Sequence, residues 1–289
     1  MDSNELISKV RKIEIKTRGL TNQIFAGEYH SAYKGRGMAF SEVRAYQYGD
    51  DIRSIDWNVT ARFLTPYVKV FEEERELTVM LLIDVSGSGL TGSRLRLKRT
   101  LMAEIAAVLS FSAIQNNDKV GVIFFSDQIE KFIPPKKGRQ HILRVISEVI
   151  HIEPAHSKTD LSVALQYLTN AIKKRSTAFI LSDFLSPSFE QALRIAGRKH
   201  DIAALRVFDA RESELPSVGL MKVRDAETDA TRWVDTSSAQ VRRAYASWWH
   251  RRQHELNDLF TRCGTDYCML RTDQDYVKTL LSLFKQRSL

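Results

Sequence analysis

The chain has 289 residues, 43% apolar and 27% charged, a balance that excludes collagenous and intrinsically disordered classes. Its formal charge of +8 is spread over residues 77–289 with no tail or arm, so short clusters such as Lys173-Lys174-Arg175 and Arg251-Arg252 read as solvated helix ends and not as a nucleic-acid groove. The two cysteines, Cys263 and Cys268 in "RCGTDYC", form no CxxC, the N-terminus has no apolar signal core, and no run reaches the ~18 apolar residues of a membrane helix; the expectation is a cytoplasmic protein with neither nucleic acid nor membrane as partner.

In chain order, Asp2 and Glu5 have capping-box spacing and open an amphipathic helix. Residues 19–45 are glycine-dotted and aromatic with weak periodicity. "YGDDIRSIDWNVTARF" reads as a turn capped by Asp50 or Asp51 and a short helix, and "PYVKVFEEERE" alternates as a strand. From residue 77 the rhythm changes. "LTVMLLID" is an unbroken apolar run, as in a strand buried on both faces. A long helix over 94–116 follows, then a second buried strand "DKVGVIFFSD", a shorter alternating one "QIEKFIPP", and helices over 138–150 and 160–174. "STAFILSDF" and "DIAALRVFD" are strands separated by a helix over 187–198. The remainder reads as a hairpin "KVRDAETDATRWVD", a long helix from Ser238 to Gly264, a strand "DYCMLRT" and a helix over 275–287. Strands alternating with helices predict an α/β, Rossmann-like fold: a mostly parallel central sheet with helices on both faces.

Sites in such sheets form outside the carboxyl ends of the strands. Asp84, Ser86 and Ser88 stand after the first core strand. Thr159 stands at or near the N-cap of the 160s helix, Asp183 ends a later strand, and Asp209 ends the next. Oxygen donors alone suit Mg²⁺, Mn²⁺ or Ca²⁺ rather than zinc.

Asp-x-Ser-x-Ser at 84–88, a loop Thr at 159 and a strand-end Asp at 183 resemble the metal-ion-dependent adhesion site of von Willebrand factor type A domains. The resemblance implies that Ser86, Ser88 and Thr159 bind Mg²⁺ (or Mn²⁺ or Ca²⁺) directly, that Asp84 and Asp183 act directly or through water, and that a partner's carboxylate completes the shell. Upstream, "GRGMAFSEVRAYQYGDDIRSIDWNVTARF" is similar to the signature of a bacterial family of unknown function, numbered fifty-eight among such domains, in which it precedes a type A domain. The matching residues are Glu42, Arg44, Tyr46, Gly49, Asp50, Asp51, Arg53, Ile55, Asp56, Trp57, Ala61 and Arg62. Members of that family are often encoded beside MoxR-type AAA ATPases, which implies an ATPase partner.

Other readings compete. Gly87, Gly89 and Gly92 spell GxGxxG between strand and helix, the dinucleotide fingerprint, but Asp84 would repel the phosphates and the second strand ends without the acidic residue at the usual distance. Asp84 could be the nucleophile of a metal-dependent phosphatase or hydrolase; the usual second aspartate is replaced by Ser86, and spacing identifies no lysine. A helix N-cap made by Ser88 or Ser93 explains one serine and leaves Asp84, Thr159 and Asp183 unexplained. His250 and His254 at i, i+4, near Cys263 and Cys268, could form a zinc site, but read instead as a solvated helix face beside small core residues. Trp57 and Trp248-Trp249 read as packing anchors. The charges around Trp57 read as a salt-bridge clamp holding the N-terminal segment on the core, or as a docking surface.

The sequence thus predicts an N-terminal extension over 1–76 packed on a type A-like domain over 77–289. The expected function is metal-dependent protein binding without turnover, toward a partner with an exposed Asp or Glu, as adaptor or co-chaperone of a MoxR-type AAA ATPase.

Overall fold

The computed structural model describes residues 39–72, 77–87, 92–93, 96–224 and 230–288. The expected N-terminal helix, Ser88, Gly89 and the tip of the 222–235 hairpin lie outside them. The chain divides into two units, one spanning Tyr33–Leu77 and the other containing Thr78–Leu289.

In the first unit, β1 (Ala39–Ala45) and β2 (Tyr67–Glu72) form an antiparallel ladder, from Ala45 opposite Tyr67 to Ala39 opposite Glu72, with a register shift between Phe40 and Glu42. The alternation of "YVKV" favours β2. β1 lies in a stretch where no strand was expected. Between the strands come a 3₁₀ turn at Ile52–Ser54 and the short helix α1 (Trp57–Phe63), which ends at Leu64 in the left-handed region with φ 56°.

The second unit is built on the apolar runs. β3 (Thr78–Asp84) is buried along nearly its whole length. A two-residue ladder, β4 (Gly92–Ser93) with β5 (Arg96–Leu97), precedes α2 (Lys98–Gln115). β6 (Lys119–Phe125) and β7 (Ile129–Lys136) form an antiparallel pair. α3 (Arg139–His151) and α4 (Leu161–Ala171) lead to β8 (Thr177–Ser182), α5 (Glu190–Lys199) and β9 (Asp201–Phe208). Then come the short α6 (Ala210–Ser213), the hairpin β10 (Leu220–Arg224) with β11 (Thr231–Asp235), the long α7 (Ala239–Arg262), β12 (Asp266–Arg271) and α8 (Tyr276–Ser288).

The six-stranded sheet has the order β12-β9-β8-β3-β6-β7. Every pair is parallel except β6 with β7. β7 carries Pro134 and Pro135, which donate no ladder hydrogen bond and are confined to sheet edges. The order confirms the expected α/β class, and it has the mostly parallel architecture of a von Willebrand factor type A fold. β3 lies mid-sheet, and the chain leaves it first toward β6 and later returns on its other side as β8, so the switch in winding falls at the carboxyl end of β3.

Alternation along the strands decides what each face buries. Met80, Leu82, Ile123, Phe125, Ala178, Ile180, Ile202 and Ala204 pack with Leu161, Leu165 and Leu168 of α4, Leu193 of α5 and Leu256 and Phe260 of α7. On the opposite face Phe179 meets Phe284 of α8 edge-on at 6.1 Å. α2 is buried from Leu101 through Ala113, as expected of a helix apolar all round. No described helix is long and apolar enough to cross a membrane. α7 starts on its cap Ser238 and is followed by Gly264 at φ 61°, the left-handed residue that commonly closes a helix.

Candidate functional site

Four loops meet at the carboxyl end of β3. Hydrogen bonds knit them: Gly87 N–H donates to Ser157 O at 3.0 Å, Asp160 N–H to Ser126 O at 2.9 Å, and Leu161 N–H to Ser186 Oγ at 3.0 Å.

Asp84 is 4% exposed. Its Oδ1 accepts from Ser86 N–H at 3.0 Å, and its Oδ2 accepts from the Ser182 hydroxyl at 2.6 Å. Burial, and then the charge of Asp183, push its carboxyl up to about 6 against the hydrogen bonds of Ser182 and Ser86. Two buried carboxylates close enough to repel are the arrangement that a cation between them relieves.

Asp183 follows β8 and is buried. Its Oδ1 accepts from Leu185 N–H at 3.1 Å. The next residue, Phe184, is fully buried with φ 57°, a conformation unfavourable for a bulky side chain that persists only where the surroundings enforce it. Those surroundings are the rings of Phe189 and Phe260, at 6.1 and 5.1 Å, and Arg252 Nη2, which donates to Phe184 O at 3.2 Å.

Thr159 does not cap α4. Asp160 does, its carboxylate accepting from Ser162 N–H at 2.9 Å. Thr159 is therefore released from the expected capping role. It is 3% exposed, and its Oγ1 makes no hydrogen bond. A buried hydroxyl without a partner is rare and calls for an explanation. Ser86 is fully buried beside Asp84. Asp84 at the end of β3 and Ser86, Thr159 and Asp183 on loops thus stand at one end of the sheet, all of them oxygen donors, and this set fits a hard divalent cation.

One residue at the site escaped the sequence reading. Lys98, the first residue of α2, is 1% exposed. Its ammonium donates to Asp183 Oδ2 at 3.0 Å and lies 2.7 Å from Glu212 Oε1 of α6. Burial alone would lower its pKa, but Asp183 and Glu212 hold it above the ordinary lysine value. In sequence it is one cation of "RLRLKRT", indistinguishable from a solvated run. Asp209 is employed structurally: it accepts from the Thr272 hydroxyl at 2.6 Å and caps α6 through Arg211 N–H at 3.0 Å.

The dinucleotide reading fails on geometry. Gly92 pairs with Leu97 in the β4–β5 ladder, and the helix opens only at Lys98, so the third glycine does not lead into a helix N-terminus. That N-terminus carries a buried cation held by two carboxylates.

The signature residues of the first unit make local bonds. Arg44 on β1 forms a two-pronged pair with Asp50, at 2.8 Å on each oxygen, and Asp50 also accepts from Gln47 N–H at 2.8 Å. Gly49 has φ 106°, which suits glycine in this turn. Tyr46 N–H donates to Pro66 O at 2.9 Å. Asp51 caps the 3₁₀ turn and Asp56 caps α1, with Lys69 3.5 Å from Asp56. Glu42, Arg53, Ala61 and Arg62 are exposed. Trp57, expected as a packing anchor, is 68% exposed, because it opens a two-turn helix whose unit supplies little apolar surface to cover it. Of the other pair, Trp249 is buried and Trp248 is exposed. His250 and His254 are exposed, and both cysteines are free thiols.

The family described as "Protein of unknown function DUF58" matches residues 42–255. The uncharacterized protein Rv1480 of Mycobacterium tuberculosis is 30% identical over 99% of this chain and 91% of its own length. Among solved structures, an aerotolerance-related membrane protein from Bacteroides fragilis superposes with TM-score 0.51 at 14% identity, and the conserved hypothetical protein BatB from Bacteroides thetaiotaomicron with TM-score 0.50 at 14%; each comparison covers 73% of this chain and 98% of that structure. The structural likeness is one of fold. The sequence match, which takes in the 42–62 signature and most of the sheet, is one of family: the chain belongs to the DUF58 family.

Proposed function

We propose that the protein is a metal-ion-dependent protein-binding module whose site comprises Asp84, Ser86, Ser88, Thr159 and Asp183. The observation that carries this reading is the Thr159 hydroxyl, buried and unbonded at the loop junction that holds two mutually repelling buried carboxylates. A bound Mg²⁺ or Mn²⁺ would supply an electrophilic centre for a carboxylate of a partner protein. Ser182 and the amide of Ser86 fix the two oxygens of Asp84, and Leu185 N–H and Lys98 fix those of Asp183, so both carboxylates are pre-oriented. Ser86 and Thr159 are neutral donors, which leaves positive charge uncompensated for an acidic side chain of the partner. The partner class we favour is a MoxR-type AAA ATPase or its client, with this chain as adaptor; that choice rests on the company the family keeps. A cytoplasmic location belongs to the same proposal.

Lys98 favours a second reading, hydrolysis of a phosphate ester with Asp84 as nucleophile, because a lysine in the pocket is what such chemistry would need. Both carboxylates flanking Lys98 engage its ammonium, which makes it a poor phosphate contact, and we place binding first. Titration calorimetry with Mg²⁺ and Mn²⁺ on wild type and Thr159→Ala tests the choice. Wild type should take up the ion, and Thr159→Ala should bind it about tenfold more weakly with an unchanged melting curve. Equal heats for the two proteins would remove the site. Turnover of p-nitrophenyl phosphate, abolished in Asp84→Asn, would establish the second reading instead.

A further inference from the structure

Lys98 occupies a position that disfavours a cation twice. It is almost completely removed from water, where an ammonium ion is costly. It also opens α2, where the helix dipole is positive. Two carboxylates on separate elements compensate: Asp183, just after β8, at 3.0 Å, and Glu212, on α6, at 2.7 Å. Glu212 is itself anchored, since the Tyr245 hydroxyl of α7 donates to its backbone carbonyl at 2.8 Å. The fold therefore holds this lysine between two carboxylates, one of them anchored by α7 and the other an aspartate that a metal would share.

Sharing has a direction. A charge-assisted bond to Lys98 withdraws part of the negative charge that Asp183 offers elsewhere, and Glu212 draws the ammonium the other way. The balance between the two carboxylates sets how much of Asp183 remains for an ion. We propose that Lys98 is a built-in counter-cation that weakens the site's resting affinity for a divalent ion and leaves that ion short of negative charge, so that a partner's carboxylate is needed for tight binding. The inference rests on the metal-binding reading and adds to it a residue outside the adhesion-site pattern.

Removing the cation and removing its second anion should act in opposite directions, which general loss of stability does not do. Mn²⁺ binding is measured by calorimetry and by electron paramagnetic resonance of the free ion, with circular dichroism melts to confirm folding. Lys98→Met should bind Mn²⁺ at least tenfold more tightly than wild type. Glu212→Gln, which leaves the ammonium to Asp183 alone, should bind it severalfold more weakly. Lys131→Met, which removes an equal charge from a half-exposed pair with Glu148, should match wild type. If wild type binds Mn²⁺ and Lys98→Met binds it no more tightly, the role of Lys98 is refuted while the metal site stands. If Lys98→Met does not fold, Glu212→Gln with wild-type affinity refutes it equally. If neither wild type nor Lys98→Met takes up Mn²⁺, the metal reading itself falls.

Discussion

His200 follows α5 and is 1% exposed. Its Nδ1 lies 2.9 Å from Ser176 Oγ, and its Nε2 has no hydrogen-bond partner. Burial, and then the charges of Lys199 and Arg175, push its pKa down from 6.5 to about 4. The folded protein thus binds fewer protons here than the unfolded chain between those values. Stability is retained above pH 6.5 and is lost as pH falls toward 4, by up to about 3 kcal/mol. Asp84, pushed up to about 6, slopes the opposite way over part of the same window, so the wild-type curve alone mixes the two. In urea melts from pH 7.5 to 4.5, His200→Gln should lose less stability than wild type; parallel curves would refute the assignment. Arg206 is a buried cation with the Tyr267 hydroxyl near its guanidinium. It is fully buried, none of its three side-chain nitrogens makes a hydrogen bond of ordinary geometry, and its guanidinium lies 4.4 Å from the ring centre of Trp249. A cation–π contact is worth about 2 kcal/mol when desolvated, less than the several kcal/mol of dehydration. Arg206→Met should therefore melt at or above the wild-type temperature. A loss beyond about 3 kcal/mol would mean that an anion holds the guanidinium.

At Gly121 of β6 the neighbouring strands β3 and β7 leave no room for a side chain. A Cβ there would stand 2.8 Å from Met80 Sδ, 3.0 Å from Pro135 N and 3.1 Å from Ile133 O. The sulfur can move but the two backbone atoms of β7 cannot do so cheaply, and β6 and β7 already shift register beside Val120. Gly121→Ala should destabilise by about 1–3 kcal/mol, read as a lower denaturation midpoint in urea. An unchanged midpoint would mean that β7 can shift away from β6 at little cost. The same elements separate what periodicity reveals from what it hides. β3, β6 and β8 are nearly continuous apolar runs and β9 is one broken by Arg206, all visible without any partner. The buried stripe Ile142, Val145, Ile146 and Val149 of α3 has helical spacing. β1 is hidden because its pairing with β2 is a matter of register across more than a turn and a helix, and its own alternation is weak. α2 opens at Lys98 and not at 94 because Arg96 and Leu97 enter the β4–β5 ladder. Asp84, Thr159 and Asp183 are legible because strand ends and a helix start mark them. Lys98 and Glu212 are not: Lys98 and Asp183 lie 85 positions apart, and no local spacing relates them.

Across the whole chain, the division at residues 77–78 separates a small unit in which Val68 is the buried apolar side chain among the described residues from a unit with a large two-faced core. The small unit depends on local bonds such as Arg44–Asp50 and the caps of Asp51 and Asp56, which is the expected economy where little apolar surface can be buried. The tandem prolines of β7 bear on how the large unit is made on the ribosome. Strands emerge in the order β3, β6, β7, β8, β9, β12, whereas in space β7 is the outermost strand on one side of β3. The first three strands can therefore close one flank early, and Pro134 and Pro135 blunt that flank against a neighbouring chain. The other flank of β3 remains an unpaired apolar edge until β8 is synthesised. At ~5–20 residues per second, the ~40 residues between β7 and β8 extend that interval by a few seconds. The nascent chain is therefore most open to mispairing along β3, the strand that ends in Asp84.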